Sequence, residues 1–182
     1  MSIDALLREL LPHAPNLGLY LAPEVPKTKL RAALGDYAKD VQADEVLAVY
    51  DATRLGSGKD GALFLRDRFV FQNNNLQESR TVLYDDLVRV DAKRQLLGGR
   101  KVEIDINQGR ATVTEYIDFS ARPDAAEYVE RFLREAMLTS PAGESAPETN
   151  LPAVQRALDR LVAEGLLSLE DRTRMLAALS RK

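Results

Sequence analysis

Between Val46 and Ile117 short apolar runs alternate with turn residues, and no other feature restricts the fold as much. Seven runs rich in β-branched and aromatic residues follow one another: Val46 to Tyr50, Ala62 to Arg66, Phe69 to Asn73, Arg80 to Tyr84, Leu87 to Asp91, Arg100 to Ile106 and Ala111 to Ile117. Their length and spacing predict the strands of an antiparallel meander. The alternation is clearest in KVEIDIN. There Val102, Ile104 and Ile106 share one face, and Glu103, Asp105 and Asn107 the other. Gly98-Gly99 and Asn107-Gln108-Gly109 supply hairpin turns. After Pro123 the period changes from 2 to 3.6, and Ala126, Val129, Phe132, Leu133, Ala136 and Met137 form a helical stripe. Pro123 suits a first helical turn, and Asp124 and Glu127 complement the helix dipole there. The expected class is α+β, with seven strands and then one long helix.

The flanks read as helical. Ile3, Leu6, Leu7, Leu10 and Leu11 have helical spacing behind the N-cap candidate Ser2, and Pro12 stops them. Four prolines between Pro12 and Pro26 surround NLGLYLA, an extended connector able to pair as an edge strand. Leu30, Ala33, Leu34, Tyr37 and Val41 make a second helical stripe. Beyond Thr139 the stretch TSPAGESAPET has no large apolar residue and reads as a flexible linker. A helical hairpin is expected after it. Asn150 caps a first helix carrying Val154, Leu158, Leu161 and Val162, Gly165 ends it, and Ser168 caps a second carrying Leu169, Met175, Leu176 and Leu179. So small a unit cannot cover its own apolar face, which makes Leu158, Leu161, Leu176 and Leu179 a candidate interaction face. The plan is thus a helical extension (1–44), a central domain (45–138), a linker (139–149) and a helical hairpin (150–182).

Composition removes several chemistries. The 182 residues contain no cysteine, which excludes disulfides, thiolate metal sites and Cys nucleophiles and suits a reducing cytoplasm. His13 is the only histidine, which excludes a multi-histidine metal site within one chain, and its place between Pro12 and Pro15 in a connector makes a His-based triad unexpected. MSIDALLREL lacks the basic start and apolar core of a signal peptide, and no apolar run is long enough to span a membrane. A formal net charge of −3 argues against a nucleic-acid binder. Even so, ten Lys and Arg face six Asp and Glu between Arg54 and Lys101, leaving that part net positive.

Two constellations could carry a ligand. Gly56, Gly58 and Gly61 satisfy G-x-G-x-x-G after a strand, but ALFLRDRFVF reads as hairpin where a dinucleotide fingerprint requires a helix. A Walker loop fails as well, because Thr53 replaces its first glycine and Asp60 its Ser or Thr. Gly56, Gly58, Asp60 and Gly61 are therefore expected to form a structural turn, with nucleotide binding as the alternative. Lys93, Arg94, Arg100 and Lys101 cluster at a second turn, either as a solvated hairpin end or as a site for anionic headgroups or an acidic partner. Glu103 and Asp105 share a strand face, but alternating charges on a solvated face are routine, and no metal site is expected.

The stretch from Leu47 to Val90 resembles the bacterial pleckstrin-homology-like domains, especially the YokE-like group. The resemblance rests on Asp51-Ala52-Thr53 at a strand end, a turn with Gly56, Ser57, Lys59, Asp60 and Gly61, then Leu63-Phe64 leading to Asp67, and a later Tyr84-Asp85-Asp86-Leu87. The last thirty or so residues resemble a short C-terminal oligomerisation-type (SHOCT-like) hairpin through Leu158, Leu161, Gly165, Leu166, Leu167 and Leu179. The first resemblance implies a partly open antiparallel barrel of two packed sheets, capped by the helix from Pro123 to Met137. It also implies binding without catalysis. The expected function is that of a non-enzymatic cytoplasmic interaction module, without cofactor, whose partner is protein, including a second copy of itself. A peripheral adaptor on an anionic membrane surface and a small nucleotide-binding protein or enzyme using the Gly56–Gly61 turn are the alternatives.

Overall fold

The computed structural model describes residues 2–95 and 98–139. The linker from residue 140 and the helical hairpin expected beyond it, with Leu158, Leu161, Leu176 and Leu179, lie outside the described residues. The order of elements is α1 (Ile3–Leu10), β1 (Leu19–Leu21), α2 (Lys27–Asp36), β2 (Ala48–Asp51), β3 (Gly61–Phe64), β4 (Arg68–Gln72), β5 (Arg80–Leu83), β6 (Leu87–Arg94), β7 (Arg100–Asn107), β8 (Thr112–Asp118) and α3 (Ala125–Thr139). The fold is α+β. Strands β1 to β5 form one antiparallel sheet in chain order, and β6 to β8 a second. One 3-10 turn, Tyr84–Asp86, carries the chain from the first sheet to the second, so Asp85 and Asp86 mark the bend. The Tyr84 hydroxyl, buried in this corner, donates to the Leu65 carbonyl at 3.1 Å.

Strands β2 to β8 answer to the seven apolar runs, and β1 is an eighth. The extended connector around Leu19 pairs with β2, Leu19 opposite Tyr50 and Leu21 opposite Ala48, after a turn through Pro15 and Gly18. The second helix stops at Asp36, short of Val41. Gly35 weakens its last turn, and Asp36 opposes the negative C-terminal end of the dipole. Tyr37 and Val41 are nevertheless buried, held by packing after the helix has ended.

Period-2 alternation sends the two faces of the first sheet into different cores. Inward lie Ala48, Tyr50, Ala62, Phe64, Phe69 and Phe71, packed with Val102, Ile104 and Ile117 of the second sheet, Leu6, Leu7 and Leu10 of α1, and Val129, Phe132 and Leu133 of α3. Phe132 meets the rings of Phe64 and Tyr84 edge-on, with centroids 5.5 and 5.8 Å away. Each such side chain contributes about 1.5–3 kcal/mol by leaving water. Outward lie Val49, Leu63 and Val70, covered with Tyr20 by Ala33 of α2 and by Tyr37, Ala38 and Val41. Strands β2 to β4 are therefore buried on both faces, whereas β5 leaves Arg80, Thr81 and Leu83 exposed. Residues 3–21 are built into the inner core and the sheet.

One side chain clasps the two sheets. Asn73, just past β4, donates from Nδ2 to the Tyr116 carbonyl and accepts at Oδ1 from the Asp118 N–H, both at 2.8 Å. Its amide takes the place of a peptide group on the edge of β8. Asn73→Ala should lower stability by about 1–2 kcal/mol, because the Asp118 amide then has no partner. In urea the midpoint should fall without a change in slope.

Candidate functional site

The glycine-rich loop between β2 and β3, residues 52–60, is organised by a buried carboxylate. Asp51 closes β2 and is 1% exposed. Its Oδ2 accepts from Lys29 Nζ at 2.5 Å, and its Oδ1 accepts from the Thr53 N–H at 3.0 Å and from the Thr53 hydroxyl at 2.5 Å. Thr53 Oγ1 in turn accepts from the Ser57 N–H at 2.7 Å, and the Ala52 N–H donates to the Asp60 carbonyl, closing the loop at its base. Lys29, on α2, also donates to the Gly56 carbonyl at 2.5 Å and lies 5.3 Å from the centre of the Tyr20 ring. Burial alone would raise the Asp51 pKa, but the hydrogen bonds from Lys29 and Thr53, together with the Lys29 charge, outweigh it and hold the carboxyl below its ordinary range. Nearby, the Tyr37 hydroxyl is buried without a hydrogen-bond partner. Burial first, and then the charges of Asp51, Asp60 and Asp36, push its pKa well above that of a free phenol.

In this loop the glycines serve the backbone. Gly61 opens β3 and not a helix, which departs from a dinucleotide-binding turn. Its φ is +138°, and a Cβ there would lie 1.9 Å from the Tyr50 carbonyl oxygen. Gly58 has φ +76° and presses on the backbone of Lys29, leaving a Cβ only 2.9 Å from its Cα. The Ser57 N–H that a phosphate would need points at Thr53 Oγ1. Asp60 Oδ1 accepts from Gln72 Nε2 at 3.4 Å.

The four clustered cations come together, but on two faces. Lys93 pairs with Lys101, and Arg94 with Arg100, across β6 and β7. Neighbours along a strand point to opposite faces, so sequence adjacency overstates the charge that one ligand would meet. On the outer face Glu103 accepts from both lysines, from Lys101 at 2.7 Å. These bonds, Lys101 first, draw its pKa below the usual range. On the other face Arg100 is bonded to Glu127 of α3. Among the described residues, Arg94 alone of the four has no carboxylate partner within 4.0 Å. Asp105, considered with Glu103 as a cation ligand, instead accepts from Arg89 at 2.7 Å and from the Thr114 hydroxyl at 2.7 Å. Among the described residues no group of three His, Asp and Glu side chains could share a metal ion. His13 accepts at Nδ1 from the Leu21 N–H at 3.2 Å and lies 3.4 Å from the Glu24 carboxylate, a packing position beside β1.

A different surface emerges from the strand register. Asp51, Gly61 and Gln72 form one rung at the end of the first sheet. The loops 52–60 and 73–79 both leave from that rung, about 10 Å apart at their bases by strand spacing. Each carries a leucine almost wholly in solvent, Leu55 at 98% and Leu76 at 96% exposure. Arg54 and Lys59 flank the first and are also exposed. Sequence reasoning passed over this pair and over Lys29, since a leucine in a polar loop and a lysine on a helix carry no signal until register and packing place them. No described helix is long and apolar enough to cross a membrane. No protein-family model, curated protein or solved structure matches the chain.

Proposed function

We propose that the chain is a non-catalytic interaction module on a pleckstrin-homology-like scaffold, and that its partner is protein, a second copy of the chain included. The order of elements supports the scaffold reading. Strands β2 to β5 form a four-strand run in one sheet, β6 to β8 a three-strand run in the other, and α3 follows them, with α1, β1 and α2 as additions. The cysteine-free composition suits a reducing compartment.

The exposure of Leu55 and Leu76 on neighbouring loops of one sheet end carries the binding reading. A single exposed leucine is ordinary, whereas two on neighbouring loops offer a partner two anchors of about 1.5–3 kcal/mol each when fully buried. The anionic-membrane alternative draws less support, because Glu103 and Glu127 already engage three of the four cations at the β6–β7 turn and offset half of their charge. The nucleotide alternative draws less as well, since the loop amide of Ser57 is engaged within the loop.

Sedimentation velocity of the full chain over a concentration series, with and without Leu55→Ser/Leu76→Ser, tests the reading. The wild type should gain mass with concentration, and the double variant should associate at least about tenfold more weakly at an unchanged melting temperature. A wild type that stays monomeric at every concentration would remove self-association. Unaltered association in the variant would remove the loop tips as anchors.

A further inference from the structure

Of the three described helices, α2 is the least anchored. α1 is capped by Ser2, whose hydroxyl accepts from the Ala5 N–H, and buries Leu6, Leu7 and Leu10. α3 buries six residues. α2 begins after Pro26, which provides no side-chain cap, and within the helix only Ala33 is buried. Leu30 and Leu34 are half-buried. Its charges run against its dipole, with Lys27 and Lys29 in the first turn and Asp36 in the last. A helix of ten residues with these features has no stability of its own, and Gly35 lowers it further. Its position depends on what it touches.

What it touches reduces to one strong point. Lys29 reaches across Tyr20 to the buried Asp51 carboxylate and the Gly56 carbonyl, at 2.5 Å each. Beneath the helix lies the apolar outer face of the first sheet, with Tyr20, Val49, Leu63 and Val70. Against this attachment stands a penalty in the same element, because Tyr37 at the C-cap buries a hydroxyl that has no partner. Water would satisfy that group on opening.

We infer that α2 is a hinged cover over the outer face of the five-stranded sheet, closed by the Lys29–Asp51 latch and opening as a unit before the rest of the domain unfolds. When residues 37–41, which lie on the same face, move with α2, opening uncovers Tyr20, Val49, Leu63 and Val70 as one apolar surface. It also releases the Gly56 end of the loop that presents Leu55, so whatever pulls on that loop biases the cover. The inference does not depend on the interaction-module reading, because it concerns an internal equilibrium of the chain.

Hydrogen exchange of the full chain, read by mass spectrometry on peptides covering 27–37 and compared with β3, β4 and α3, tests it. In the wild type α2 amides should exchange at least about tenfold faster than those of β3 and β4. Lys29→Met should accelerate α2 further while changing β3 and β4 less. Tyr37→Phe, which keeps the ring and removes the stranded hydroxyl, should slow α2 exchange below the wild-type rate. Exchange of α2 at the same rate as β3 and β4 would overturn the inference, as would a Tyr37→Phe variant whose α2 exchanges faster than wild type.

Discussion

Gly61→Val should lose about 2–6 kcal/mol of stability, enough at the upper end to keep the chain from its native state at ordinary temperature. Two penalties add. A φ of +138° belongs to a region that side chains rarely enter, which costs about 1–3 kcal/mol. The new Cβ would also sit 1.9 Å from the Tyr50 carbonyl oxygen, inside the β2–β3 ladder, where the neighbour is backbone and cannot rotate aside. Forcing β2 and β3 apart disturbs Tyr50, Ala62 and Phe64 in the inner core, and overpacking of this kind costs about 1–3 kcal/mol more. For a domain of ordinary stability, about 5–15 kcal/mol, that is a large fraction of the total. Far-UV circular dichroism during thermal and urea unfolding measures it. A Gly61→Val protein with the wild-type melting temperature would show that the loop is not the structural turn described here.

Asp51→Asn is expected to lower stability by about 2–3 kcal/mol although it changes one atom. The Asp51 carboxylate accepts on both oxygens, from Lys29 on Oδ2 and from Thr53 on Oδ1. An asparagine has one oxygen and one NH2. Whichever way the amide turns, a donor faces either the Lys29 ammonium or the Thr53 N–H. Breaking one partner of a buried ion pair costs about 3–5 kcal/mol, and the slight exposure of Lys29, 14%, moderates that by letting the ammonium reach water. The pH dependence separates this from a general packing defect. The folded carboxyl has a pKa below its ordinary 3.8, so the unfolded chain takes up its proton first as the solution is acidified. The stabilisation is thus complete above about pH 4 and is lost as pH falls through the folded value. The stability gap between wild type and Asp51→Asn should be widest near neutrality and should shrink below about pH 3.8. A gap that is constant between pH 7 and pH 3 would mean that the Asp51 charge is not what holds the loop.

Much of the architecture was legible locally. KVEIDIN alternates because β7 has one face in the core and one in solvent, and nothing at longer range alters that. The stripe from Ala126 to Met137 reads as a helix for the same reason, and Phe132 and Leu133 are buried as their spacing requires. The boundary of α2 was harder to read. Tyr37 and Val41 continue an apolar period that the helix itself does not follow, since burial rewards apolar side chains whether or not the backbone carrying them is helical. The run around Leu19, which its flanking prolines mark as an extended segment able to pair as an edge strand, becomes β1 on the free edge of β2.

The candidate sites divide in the same way. The amino-acid sequence alone established a glycine turn between two strands, because positive φ and close approach are demands that glycine meets by its lack of a Cβ. It also established that no thiol chemistry and no multi-histidine metal site can be assembled within one chain, because the chain has no cysteine and one histidine. Only the tertiary structure decided which charges are available. Lys29 and Asp51, 22 residues apart, become one buried pair, while Lys93, Arg94, Arg100 and Lys101, adjacent in pairs, are split between two faces and half neutralised by Glu103 and Glu127. Strand alternation and helix packing set those distances, and electrostatic energy depends on separation in space and on burial, neither of which is a property of sequence order.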